Sequence, residues 1–346
     1  MAGRRRKSRK KSGLRAAGAA VAVFLALLAA AAGAAWLALV PYGPGSATLV
    51  KVARGDSADQ IGQELEAAGV VRSRFAFDAM RFWKRGTLKA GEYRFEGRAT
   101  PEEVYEKIER GEVFTIAVTI PEGANIFDIA GRLEAAGLGT RQGFVEAATS
   151  QTRLVADIDP RAKSLEGYLF PATYHFAPDA TDNAMAASMV RRFRQVAEEL
   201  GLKENVHHVV TIASLVERET AVNAERPLVA SVFENRLTKG MPLMSDPAVI
   251  YGLELGGQWR GAIYASDLKL NTPYNTYLHA GLPPGPVANP GVPSLKAAMD
   301  PARTNYLYFV AAGIDPQGQS LFSATLKGQN KNVASYRKAE KRAGGR

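Results

Sequence analysis

Residues 207–246 read HHVVTIASLVERETAVNAERPLVASVFENRLTKGMPLMSD. At about 100° per residue, Val206, Val209, Val210, Ala213 and Val216 share one helical face, which predicts an amphipathic helix. Glu217 falls on that same face, one turn after Ala213. Arg218 points the opposite way, and Glu219 sits at the edge of the apolar stripe. An ionised carboxylate is unfavourable among valines, so Glu217 is expected to hold its proton near neutral pH. A carboxylic acid that stays protonated there is the proton donor that glycosidic cleavage needs. The competing reading makes Glu217 a buried structural acid paired with Arg226 or Arg236. A second helix is expected over 224–237, with Pro227 near its start and Lys239-Gly240 after its end.

Upstream of this stretch the chain begins with a basic segment, residues 1–15, followed by 16–40 without a single charge. A run of about 25 residues spans a bilayer core as a helix. Basic residues lie only on its N-terminal side, which places that side in the cytoplasm and the rest beyond the membrane. Trp36 and Tyr42 suit the far interface, and Pro41 ends the helix. A cleaved signal peptide is the competing reading, but the apolar run exceeds the usual core of about 7–15 residues. A retained anchor is therefore expected. The net charge of +10 comes mostly from eight basic residues among the first fifteen. The remainder is close to neutral, so nucleic-acid binding loses its support. The chain has no cysteine, which excludes disulfides and thiolate chemistry. No metal-binding motif such as HExxH occurs, and neither a metal nor another cofactor is expected.

A strand–turn–helix unit then appears twice. Val50, Val52 and Gly55 lead to Ile61, Leu65 and Gly69; Val118, Ile120 and Gly123 lead to Ile129, Leu133 and Gly137. Each copy reads as a short strand, a Gly turn, an amphipathic helix and a Gly C-cap. Between them, 90–95 reads as a strand. Thr100-Pro101-Glu102-Glu103 opens a helix with a capping box and Pro at N1. Downstream, a long helix is expected over Asp182 to Leu202, ended by Gly201, and strands are expected over 306–310 and 321–323. Residues 270–293 form a long loop rich in Pro, Gly and Asn, suited to the wall of a polar cleft.

The first copy, VKVARGDSADQIGQELEAAGV, resembles a LysM module, which implies binding of N-acetylglucosamine-containing glycans. The ordered segments SLEGYLFPATY, IASLVERETAV, LVASVFENRL, SDPAVIYGL, NTPYNTYLHAGLPPGPVANPG and NYLYFVAAG resemble the YceG-like family of endolytic murein transglycosylases. The resemblance implies a lyase that cuts the β-1,4 bond between N-acetylmuramic acid and N-acetylglucosamine and leaves a 1,6-anhydro end. It implies peptidoglycan strands as substrate, an inner-membrane location with a periplasmic catalytic domain, and peptidoglycan synthases as candidate partners. It assigns catalysis to the first Glu of ASLVE, Glu217. Asn275, Tyr277, Tyr251 and Asn289 are then candidate sugar contacts, and Asp246 and Glu166 are candidate second carboxylates. The chain departs from the family pattern at Ala172, where Asp is expected, and lacks histidine near its C-terminus.

The expected architecture is α+β, with a single transmembrane helix over 16–40. A small LysM-like α/β module over 48–140 and a larger mixed α/β catalytic domain over 141–337 follow, with a basic tail at 338–346. Two other readings stay open. One is a hydrolytic muramidase, which needs a second carboxylate to hold a water. The other is a non-catalytic peptidoglycan-binding scaffold.

Overall fold

Two units divide the chain between Thr115 and Ile116 in the computed structural model, which describes residues 5–315 and 318–344. Parts of both basic tails, residues 1–4 and 345–346, lie outside the described residues.

The first unit opens with α1, Arg5–Leu39. Its segment Ala17–Trp36 has no buried residue and is long and apolar enough to cross a membrane, as an anchor or a signal sequence. A small folded module follows: β1 (Thr48–Val52), α2 (Ala58–Ala67), α3 (Arg74–Lys84), β2 (Gly91–Phe95) and α4 (Pro101–Arg110). β1 and β2 pair antiparallel, with Val50 opposite Tyr93. The alternation of Leu49, Val50, Lys51 and Val52 turns both valines inward, as a two-residue period requires. They meet Leu65, Phe77, Tyr93, Tyr105 and Ile108 in a core of their own. The starts of α2 and α4 are held by capping boxes, Ser57 with Gln60 and Thr100 with Glu103, the latter with Pro101 at the first turn.

The second unit contains β3 (Ile116–Thr119), α5 (Ile126–Ala135), α6 (Arg141–Ser150), β4 (Thr173–Phe176) and α7 (Asp182–Leu200). It continues with α8 (Val206–Glu219), α9 (Arg226–Thr238), α10 (Asp246–Leu255), α11 (Val292–Met299), β5 (Tyr308–Ala311), β6 (Ser320–Ser323) and α12 (Leu326–Gly344). β3 pairs antiparallel with β4, and β5 with β6. The division falls between Thr115 and Ile116, against expected limits of 48–140 and 141–337. The second copy of the strand–helix unit, with Val118, Ile120, Ile129 and Leu133, packs into the large core of the second unit. The C-terminal basic segment also differs from a separate tail, because α12 carries it as helix to Gly344.

α8 is the centre of this unit. Every residue from Val209 to Val216 is buried, so the helix has no solvent face over two turns. It packs against α9, α10 and α11. A helix enclosed on all sides needs polar residues satisfied from its neighbours. The Ser214 hydroxyl accordingly donates to Thr211 O and accepts from Val287 N, at 2.7 and 3.0 Å. Gly167 shows how close the surrounding loops come. It adopts φ +87°, and a Cβ there would lie 2.6 Å from the Pro286 ring.

Candidate functional site

Glu217 and Glu219 leave the end of α8 toward different neighbours. Glu217 does not stand in the apolar setting that its helical face predicts. Its Oε1 accepts from Arg226 Nη2 at 2.8 Å, and its Oε2 accepts from Gly291 N at 2.9 Å. Both side chains of the ion pair are about 5% exposed. Arg226 also donates to Asn223 Oδ1. The Glu122 carboxylate lies against Gly291 and leaves no room for a Cβ there. Burial, and then the negative charge of Glu217, push the Glu122 carboxyl above its ordinary value. Glu217 is thus buried and ion-paired, and it ties α8 to α9 and to the start of α11.

Glu219 is the last residue of α8 and is partly buried. Among the described residues its carboxylate has one hydrogen bond, from Ser245 Oγ at 2.8 Å. Ser245 is the N-cap residue of α10, yet it makes no side-chain cap; its hydroxyl is turned to Glu219 instead. Burial pushes the Glu219 carboxyl up to about 7, and the nearby Asp246 charge adds to this. The Ser245 hydrogen bond and the charges of Arg236 and Arg218 oppose the shift. The position at a helix C-terminus, where the dipole is negative, also disfavours the carboxylate.

Asp246 and Tyr277 complete this corner. The exposed Asp246 starts α10, and Tyr277 OH donates to its Oδ1 at 2.6 Å. Burial, and then this hydrogen bond, raise the Tyr277 pKa, so the phenol stays a donor. Arg236 is fixed by Leu307 O and Leu243 O, both at 2.7 Å, with Tyr308 stacked on its guanidinium. Met244, just before Ser245, is half exposed and holds a left-handed φ of 52°. Such strain in a non-glycine residue is found where surrounding structure imposes a geometry on a site. The 270–291 loop supplies the support: Met244 N donates to Thr276 O at 3.1 Å, and Ser245 N to Thr276 Oγ1 at 2.9 Å.

The other expected sugar contacts are buried side chains. Asn275 is fully buried; its amide donates to Leu268 O and Leu270 O, and its Oδ1 accepts from Tyr277 N. Asn289 is fully buried and binds Leu169 N, Ala124 O and Glu166 Oε1. Tyr251 is 2% exposed and packs edge-on against Tyr274, with ring centroids 5.0 Å apart. Glu166 is 1% exposed and accepts from Ile126 N at 2.9 Å and from Asn289 Nδ2 at 2.8 Å. Enclosed and hydrogen-bonded in this way, these side chains hold the loop in place. Of the expected residues, Asp246 and Tyr277 are brought together, next to Glu219. Sequence reasoning missed Glu122 and Ser245 and set Glu219 aside. The signal available was the spacing of two acids at i and i+2, which sends them to different sides of any helix.

Glu166 carries a stability prediction. Burial pushes its carboxyl up to about 8, against the hydrogen bonds from Ile126 and Tyr251. The folded state therefore binds this proton more tightly than the unfolded chain does. Its stabilisation is complete below the unfolded value, near pH 4.5, and is lost as pH rises toward 8. The loss is on the order of 4 kcal/mol. Thermal melts between pH 5 and pH 8 are expected to fall with rising pH. The slope should flatten in Glu166→Gln; an unchanged slope would place the titration elsewhere.

The YceG-like family model matches residues 50–335. An endolytic murein transglycosylase of Bacillus subtilis is 32% identical over 308 residues, 83% of this chain and 84% of the relative. The endolytic murein transglycosylase of Streptococcus pneumoniae D39 is 31% identical over 359 residues, 91% of this chain and 64% of the relative's length. A 2.6 Å crystal structure of a yceG-like protein from Listeria monocytogenes superposes with a TM-score of 0.54 at 31% identity. That alignment covers 83% of this chain and 99% of the other. With a family model matched across both units and relatives aligned over most of its length, this chain belongs to the YceG-like family.

Proposed function

We propose that the protein is a membrane-anchored endolytic peptidoglycan transglycosylase whose general acid and base is Glu219. The observation that carries this reading is a partly buried carboxyl raised to about 7, held by the Ser245 hydroxyl beside the partly buried Tyr277 and the exposed Asp246. A group with that pKa gives up a proton and takes one back at neutral pH. Glu219 protonates the oxygen of the β-1,4 bond between N-acetylmuramic acid and N-acetylglucosamine. The bond from C1 to that oxygen breaks with oxocarbenium-like character. The C6 hydroxyl of the same muramoyl residue then attacks C1, and its proton passes to the Glu219 carboxylate. The acid is regenerated without water, and the new end is a 1,6-anhydro sugar. Because nucleophile and electrophile share one ring, proximity replaces an enzyme nucleophile. Glu217, locked by Arg226 and Gly291, positions the end of α8 and not the proton.

In this reading α1 stays as the anchor, its basic end is cytoplasmic, and the first unit acts as a LysM-like glycan-binding module near the bilayer. The strand–helix–helix–strand order and the paired β1 and β2 support that reading of the module. Asp246 favours a second reading, hydrolysis, because it puts a further carboxylate close enough to Glu219 to raise its pKa. Mass spectrometry of purified glycan strands after digestion decides between them. Transglycosylation leaves ends lighter by one water than hydrolytic ends. Strands bound but uncut would leave a scaffold role.

Activity should also depend on pH with a definite sign. Glu219 must be protonated to start the reaction, so cleavage is expected to fall as pH rises through about 7. An initial-rate profile that stays flat to pH 9 would remove Glu219 from the acid role.

A further inference from the structure

α3 has two apolar faces, and the module's core uses only one. Ala76 and Phe77 are buried, with Phe77 fully enclosed. Phe75, Ala79, Phe82 and Trp83, at i, i+4, i+7 and i+8, form a second stripe on the other side. Phe75 is 69%, Phe82 76% and Trp83 83% exposed. Three large aromatic side chains left in water along one helix mark a surface that meets something. Beside this stripe runs a basic edge of Arg74, Arg81 and Arg85, with Asp78 among them. The Arg74 guanidinium lies 4.9 Å from the Phe75 ring centroid, and that of Arg85 lies 5.7 Å from Phe82.

The chain itself says what covers this face. α1 ends at Leu39, and Tyr42 is already bound to the module, with Tyr42 N to Ala99 O at 3.0 Å and Ala99 N to Tyr42 O at 2.8 Å. Val40 and Pro41 alone lie between, three residue steps and a reach of at most about 10 Å. Arg72, two residues before α3, lies over the Tyr42 ring at 4.9 Å. α3 therefore starts where the apolar helix ends. Tryptophan and phenylalanine flanked by arginine are the side chains that settle at a lipid–water interface, and arginine adds attraction to anionic headgroups.

We propose that the Phe75, Phe82 and Trp83 face of α3 docks into the headgroup region of the bilayer that α1 enters, with anionic lipid as its partner. The proposal rests on the retained-anchor reading of α1. It makes α3 a second membrane contact that fixes how the module stands on the surface.

The chain has three tryptophans, Trp36, Trp83 and Trp259, so each can be isolated in the full-length protein. The test uses vesicles of phosphatidylcholine and phosphatidylglycerol at roughly 3:1, carrying bromine near the headgroup end of the acyl chains. In Trp36→Phe/Trp259→Phe protein, Trp83 alone reports on α3. A face set about 5–10 Å into the boundary should lose about half of its emission to the bromines. The loss should shrink in pure phosphatidylcholine and in the further variant Phe75→Ser/Phe82→Ser. Unquenched Trp83 overturns the proposal. Trp83→Phe/Trp259→Phe protein, reporting from Trp36, then shows whether the anchor reading fell with it. Trp83 that ignores lipid but responds to added glycan strands would assign the face to the substrate instead.

Discussion

Glu219→Gln is expected to lower glycan-strand cleavage by about 10²–10⁴-fold while leaving the melting temperature unchanged or slightly raised. The amide still accepts the hydrogen bond from Ser245 Oγ, so the corner keeps its shape. What disappears is the only proton this side chain could deliver. The raised pKa means that the wild-type carboxylate is disfavoured where it sits, and above pH 7 the amide removes that penalty. The measurement pairs initial rates on purified strands with a thermal melt at pH 8. A variant that keeps more than about a tenth of wild-type activity would refute the assignment.

Glu217→Ala should do the reverse, with its main effect on the fold. Removing the carboxylate leaves the Arg226 guanidinium, 5% exposed, without its charge partner, and leaves Gly291 N without an acceptor. Breaking one side of a buried ion pair costs about 3–5 kcal/mol, because the remaining charge stays desolvated. In a unit of this size that lowers the melting temperature by roughly 6–20 °C. Activity per folded molecule, measured well below the melt, should fall far less than in Glu219→Gln. Circular dichroism melts and rate assays on both variants make a crossed comparison. If Glu217→Ala kept its stability and lost all cleavage, the two acids would have to exchange roles.

The spacing of Pro, Gly and capping residues made most elements legible. Thr100-Pro101 with Glu103 opens α4, Gly201 closes α7, and the paired strands at the C-terminus fall where alternation puts them. Those signals are local, acting within one or two turns of the backbone. The strand–helix repeat was equally plain, but its two copies went to different cores. Similar local patterns bury against whatever surface the rest of the chain provides.

By itself the sequence determined the α+β elements, the apolar N-terminal helix, the membership of the YceG-like family and the short segment that holds the candidate acid. The tertiary structure decided which partners each acid in that segment meets. A helical wheel sorts residues between a core face and a solvent face, and α8 has no solvent face from Val209 to Val216. Once a helix is enclosed, the environment of each side chain is set by what lies opposite: Arg226 and Gly291 N for Glu217, Ser245 and Asp246 for Glu219. Those partners stand as far as 74 residues away along the chain. Desolvation and charge act through space, so only folding could bring Glu217 a cation and raise the Glu219 carboxyl above its ordinary value.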